Sequence, residues 1–265
     1  SRVWDRVLTS LLERAAADGG FEGAQPGSTL AMAAVGGYGR RDLNPASGIE
    51  LLILRDDGAS VPGGWRTVVE WIQAPDLAGV FGRVRALAQT MAGSVEAANR
   101  DSWTKTALLD ARFIGGDARL FTQFQEVFTA RCVEGQAEAF IAAWEADREA
   151  RRAKFGRAVC LQEPHIKSGC GGLRDSQSLL WLAFFRHGCR TLVELEARGL
   201  VAQSERRDLE RAYDFLLRVR NEAHYQAGRA ADVLTKSIQP AVARGLGYAE
   251  RSYSRRIERF MRDYY

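Results

Sequence analysis

Two short apolar runs, Leu30 to Val35 and Ile49 to Leu54, flank a turn-rich stretch that opens Gly36-Gly37-Tyr38-Gly39 and continues through Asp42-Leu43-Asn44-Pro45. Runs this short, bounded by glycine and proline, read as buried strands joined by a glycine-rich turn. A helix precedes them, with Val3, Trp4, Val7, Leu8, Leu11 and Leu12 at helical spacing before Gly19-Gly20 closes the pattern. After them, Trp65 to Ile72 reads as helix and Gly79 to Val84 as a further strand. Ser102 to Ala111 reads as a helix leading into the short run Arg112-Phe113-Ile114. From about residue 117 the period is almost wholly helical, over 134–156, 174–187 and 204–227. Pro164 and the Gly169 to Gly172 cluster mark an ordered loop between helices at 161–173. The expectation is an α+β domain over 1–116 followed by an all-α domain over 117–265.

Bulk composition is consistent with that division. A chain of 265 residues with 46% hydrophobic content suffices for two modest cores. Its net charge of +4 arises from 37 basic and 33 acidic residues without a basic block, so no nucleic-acid partner is expected. No apolar run is long enough to span a bilayer and no leader pattern precedes Ser1, so the expectation is a cytoplasmic protein without a membrane partner. Cys132, Cys160, Cys170 and Cys189 lack CxxC spacing and read as reduced thiols. Trp71, Trp144 and Trp181 sit in apolar helical patterns and read as core residues. Ser1 is not an initiator methionine, and the amphipathic pattern of Ile257, Phe260, Met261 and Tyr264 reaches Tyr265 without a stop signal, so a longer protein is expected.

The glycine turn bears directly on function. Glycines after a strand let backbone N–H groups approach a phosphate closely. Alone, Gly36-Gly37-Tyr38-Gly39-Arg40 reads first as an ordinary tight turn, since glycine turns after strands are common. The downstream segment Ser47-Gly48-Ile49-Glu50-Leu51-Leu52 adds weight, because it enters the second strand at the point where a pair of carboxylates two residues apart would share one face. Two such carboxylates can hold Mg²⁺ ions against a triphosphate.

This layout resembles the polymerase-beta-like nucleotidyltransferases, and in particular the bacterial PII uridylyltransferase/uridylyl-removing enzymes. Their corresponding segment runs GGYGR, a short acidic-Leu-x-Pro loop, then S-D-I-D-L-L. Three further stretches are similar to that family. They are Thr106 to Arg112 with Gly115-Gly116-Asp117, Glu163 to Lys167 with Gly171 to Asp175, and Arg218 to Gln239 with Arg259 to Tyr265. The resemblance implies transfer of UMP from UTP to a tyrosine of the trimeric PII signalling protein, with Mg²⁺ as cofactor and pyrophosphate as the leaving group. It implies nucleotide contacts from Gly36, Gly37, Arg40, Ser47, Lys167 and Arg174, with the nucleotide between an α/β and a helical domain. Glu50 takes the remaining catalytic and metal-binding place.

The departures carry as much meaning as the matches. The family's first catalytic aspartate falls on Gly48, its second on Glu50, and the acid of its later strand near Gly79. Loss of inner carboxylates removes charge that Mg²⁺ needs, so the expectation is an impaired transferase. Two alternatives stand beside it: an active enzyme using Glu50 with a substitute acid among Asp42, Asp56 and Asp57, or a non-catalytic binding module. Lys167 and Arg174 are open to a second reading, in which they start a capped helix and Arg174 pairs with Asp175. The histidines His165, His187 and His224 stand in no His-Asp dipeptide, and the family's phosphohydrolase and regulatory ACT domains have no counterpart in these residues.

Overall fold

The computed structural model describes residues 1–17, 30–55, 70–71, 84–249 and 252–265, and divides them between two compact units. The first unit comprises Ser1–Leu43 and Ser47–Glu134. Its centre is a four-stranded sheet in the order β3-β2-β1-β4, formed by β1 (Leu30–Ala34), β2 (Ile49–Arg55), β3 (Val84–Thr90) and β4 (Arg112–Gly116). The β1 strand runs antiparallel to both β2 and β4, whereas β2 and β3 are parallel. Strands β1 and β2 are apolar at nearly every position because both faces are covered. On one face, Leu8 and Leu12 of α1 (Arg2–Ala17) pack with Leu30, Met32, Ile49, Leu51 and Ile53.

The other face carries Phe113 of β4, whose ring meets Phe121 at 5.7 Å between centroids. Phe121 belongs to α5 (Ala118–Cys132), whose Phe121, Phe124 and Phe128 form a continuous buried ring stack. Asp117 caps this helix by accepting from the backbone N–H groups of Arg119 and Leu120. Between the glycine turn α2 (Gly36–Gly39) and α5 lie α3 (Met91–Arg100) and α4 (Ser102–Leu109). The hydroxyl of Thr90 caps α3 by accepting from Gly93 N at 3.0 Å, and the Asp101 carboxylate caps α4 by accepting from Thr104 N at 2.8 Å.

The second unit comprises Asn44–Ala46 and Gly135–Tyr265. It contains α6 (Ala137–Phe155), α7 (Leu173–His187), α8 (Leu192–Ala197), α9 (Gln203–Ala227), α10 (Gln239–Gly245) and α11 (Tyr253–Tyr264). Phe140 of α6 stacks on Phe185 of α7, and a core of Ile166, Leu173, Leu216, Val219, Ala223, Leu234, Val242 and Phe260 joins α7, α9, α10 and α11. The loop at 161–173 is ordered through backbone pairing. Ile166 N donates to Asp232 O at 2.7 Å, Leu234 N to Pro164 O at 2.9 Å, and Leu173 N to Ile166 O at 3.1 Å. No helix among the described residues is long and apolar enough to cross a membrane.

The architecture is α+β with a sheet-bearing first unit and a helical second one, as expected. One detail differs. The helical period begins at residue 118, but α5 buries its phenylalanines against the sheet, so the units part at Glu134 rather than 117. A strand that the sequence reading did not assign runs over Val84–Thr90, while the strand expected over 79–84 falls, but for Val84, on residues outside the described ones, Gly79 included. Phe124 is only 1% exposed. Phe124→Ala is predicted to destabilise the first unit by about 3–5 kcal/mol, measured by urea unfolding, while Phe124→Leu costs less than half of that.

Candidate nucleotide site

The glycine turn is built from its backbone outward. Val35 N donates to Glu50 O at 3.0 Å, extending the β1–β2 pairing to the mouth of α2. Gly36 then takes φ +55, and a Cβ placed there would lie 2.9 Å from Glu50 Oε2. The half-buried Glu50 side chain therefore occupies the space beside a residue whose left-handed backbone favours glycine. At Gly39 a Cβ would overlap the carbonyl oxygen of Asp110, so α2 is pressed against the end of α4. Asp42 N donates to Gly37 O at 2.8 Å and closes the turn.

Polar side chains brace this turn from behind. The buried Tyr38 hydroxyl donates to Asp5 Oδ1 at 2.7 Å, and Arg112 donates to both Asp5 oxygens at 3.1 and 3.0 Å. Arg112 also donates to Gly39 O at 3.2 Å and lies over the Tyr38 ring at 5.4 Å. Burial, with the hydrogen bond to Asp5, pushes the Tyr38 hydroxyl far above the usual phenol range. Burial alone would raise the Asp5 carboxyl, but the bonds from Arg112 and Tyr38 outweigh it and hold Asp5 below the ordinary aspartate value.

Of the residues expected to bind nucleotide, Gly36, Gly37, Arg40 and Ser47 belong to this first unit with Glu50. The Arg40 guanidinium bridges Asp42, at 3.0 Å, and Asp110. Ser47 and the exposed Gly48 form the segment just before β2, with Gly48 two residues ahead of Glu50 and carrying no side-chain oxygen. Among the described residues, no group of three or more His, Cys, Asp or Glu side chains is placed to hold a metal ion. Asp56, Asp57 and Gly79 lie outside the described residues.

Lys167 and Arg174 belong to the second unit. Arg174 is buried, its guanidinium 5.1 Å from the centre of the Trp181 ring, and its backbone N–H donates to Lys167 O at 2.8 Å. Asp175 pairs with Arg151 at 2.9 Å rather than with Arg174, and accepts from Gly171 N at 2.9 Å. The expected Arg174–Asp175 pair is replaced because the buried Arg151 reaches across from α6, with Asp147 as its second carboxylate at 2.9 Å.

A cluster in this unit escaped sequence reasoning. Asp232 accepts from Arg220 at 2.7 Å and lies 3.4 Å from His224 Nε2. His224 Nδ1 accepts from Ala46 N at 3.2 Å, which leaves the proton on Nε2. Asn44 Nδ2 donates to Asn221 Oδ1 at 2.6 Å, and Arg220 donates to Asn44 Oδ1. Burial acts to raise the Asp232 carboxyl, but bonds from His224 and Arg220, with the Lys167 charge, drive it well below the usual range. The available signal was the recurrence of Arg220, Asn221 and His224 at i, i+1 and i+4 on one helix.

Comparison with known proteins finds relatives along the chain. The family described as GlnD PII-uridylyltransferase matches residues 139–265. The chain is 34% identical over 236 residues to a bifunctional uridylyltransferase/uridylyl-removing enzyme of Erythrobacter litoralis, covering 89% of the chain and 25% of that protein. It is 33% identical over 267 residues to those of Phenylobacterium zucineum and Caulobacter vibrioides, covering 100% of the chain and 28% of each. The chain is a homologue of the PII-uridylyltransferases. It spans about a quarter of the length of these relatives. The PII-uridylyltransferase match at 139–265 falls almost wholly within the helical unit, while similarity to the individual relatives extends through the sheet as well.

The Asp5 brace gives a pH-dependent prediction. A carboxyl held below its unfolded value contributes stability that is present above the unfolded pKa and is lost as pH falls through the folded one. Asp5→Asn therefore lowers stability at pH 7 by about 1–3 kcal/mol, and the gap from the unaltered chain narrows as pH drops below 4. Thermal melts of both proteins across pH 3–8 measure this difference directly.

Proposed function

We propose that this chain is a nucleotide-binding, PII-uridylyltransferase-like protein whose transfer step is impaired by loss of metal carboxylates. The observation that carries the reading is the pairing of an intact glycine turn with an incomplete acidic motif. Glu50 keeps its place against Gly36, while Gly48, two residues earlier and just before β2, has no side-chain oxygen.

When bound in an intact member, Mg²⁺ would neutralise triphosphate charge and polarise the reacting phosphorus. Among the described residues the donor set does not fit that ion. Mg²⁺ needs carboxylate charge in a tight octahedral shell, and the turn offers Glu50 with a glycine where the partner acid is expected. Asp42 does not restore the set, because its carboxylate is bonded to Arg40. That pairing weighs against the alternative of an active enzyme with a rearranged acid. The chain's own residues retain a narrower chemistry. The Gly36-Gly37 backbone approaches phosphate oxygens without side-chain obstruction, and the Glu50 carboxylate is placed to accept a proton from an incoming hydroxyl. In this reading the ligand is UTP and the protein partner is PII.

The test is transfer of labelled UMP from UTP to purified PII. The unaltered chain binds UTP yet transfers UMP on the order of a hundred-fold or more below the full-length Phenylobacterium relative. Gly48→Asp raises transfer without reaching that relative's rate. Full activity in the unaltered chain would contradict impairment, full rescue by Gly48→Asp would exclude a second lesion, and absence of UTP binding would remove the nucleotide assignment altogether.

A further inference from the structure

The parallel pairing of β2 with β3 places Arg85 directly beside Glu50, one step in from the Ile49↔Val84 pair at the end of the ladder. Register partners in a sheet project from the same face, with side chains about 5 Å apart at their roots. The sheet thus roots an arginine on the strand position beside Glu50, whose carboxylate lines Gly36. Arg85 is exposed and Glu50 half-buried, so both reach toward solvent at this end of the sheet. Among the described residues the Arg85 guanidinium has no ion-pair partner.

A cation rooted here acts in two directions. It repels a divalent metal from Glu50 and reduces the negative charge that such an ion would need. It also offers planar, paired N–H donors suited to phosphate oxygens, a geometry that a hydrated ion provides only through coordination.

We propose that Arg85 is a phosphate-binding residue that takes over the metal's electrostatic part at the glycine turn, so that this chain binds nucleoside triphosphate without a divalent ion. The inference rests on the nucleotide reading above and adds to it the residue and the metal independence. It needs no side chain from the helical unit.

Calorimetric titration of UTP into the 265-residue chain tests it, in EDTA and in excess Mg²⁺, for the unaltered protein, Arg85→Gln and Arg85→Lys. The unaltered chain is expected to bind with a Kd that differs by less than ~2-fold between the two conditions. Arg85→Gln weakens binding in EDTA by about tenfold or more, the loss of one charge-assisted contact, and Arg85→Lys recovers part of it. Far-UV circular dichroism melts establish that both variants fold. Binding that appears only with Mg²⁺, or an unchanged Kd in a folded Arg85→Gln, overturns the inference while leaving the nucleotide reading standing. UTP binding in neither condition overturns both.

Discussion

The Glu50 carboxylate lies within 2.9 Å of where a side chain at position 36 would begin, and the whole turn is arranged around that approach. Any other residue at position 36 would meet both a left-handed backbone and an occupied space. The approach in turn needs β1 and β2 in their observed register, since Glu50 reaches the turn only because its carbonyl accepts from Val35 N. A one-residue slip would carry Glu50 to the opposite face and bring Ile49 or Leu51 to the turn. The apolar alternation that buries Ile49, Leu51 and Ile53 against α1 is what forbids the slip.

Around this contact the polar residues are engaged in holding backbone. Asp5, Tyr38 and Arg112 tie α1, α2 and β4 together behind the turn, and Arg40 joins Asp42 to Asp110. In the helical unit Asp232 collects Arg220 and His224, and the same two residues bind Asn44 and Ala46. These bonds stabilise the fold whether or not a transfer step runs at the turn.

Local signals in the sequence carried β1, β2 and the long helices, because short apolar runs and helical periods are set by neighbouring residues. The glycine turn and its spacing to Glu50 were legible for the same reason. Strand β3 left little local signal because Val84-Arg85-Ala86-Leu87-Ala88-Gln89 is rich in residues of low strand propensity and gains its stability from pairing with β2. The boundary was placed too early because a helical period reports a helix, not the surface it packs on, and α5 packs on the sheet. Contacts that cross long stretches of chain, such as Asp5 to Tyr38, Arg151 to Asp175 and Glu50 beside Arg85, leave no trace in local pattern.

The central claim is that the turn retains a nucleotide seat without a metal seat. A crystal structure of the chain soaked with UTP and Mn²⁺, with anomalous data collected for manganese, addresses it most directly. The account predicts triphosphate density at Gly36-Gly37 with the Arg85 guanidinium on its oxygens and no anomalous peak at Glu50. A manganese peak coordinated by Glu50 and the triphosphate would contradict it.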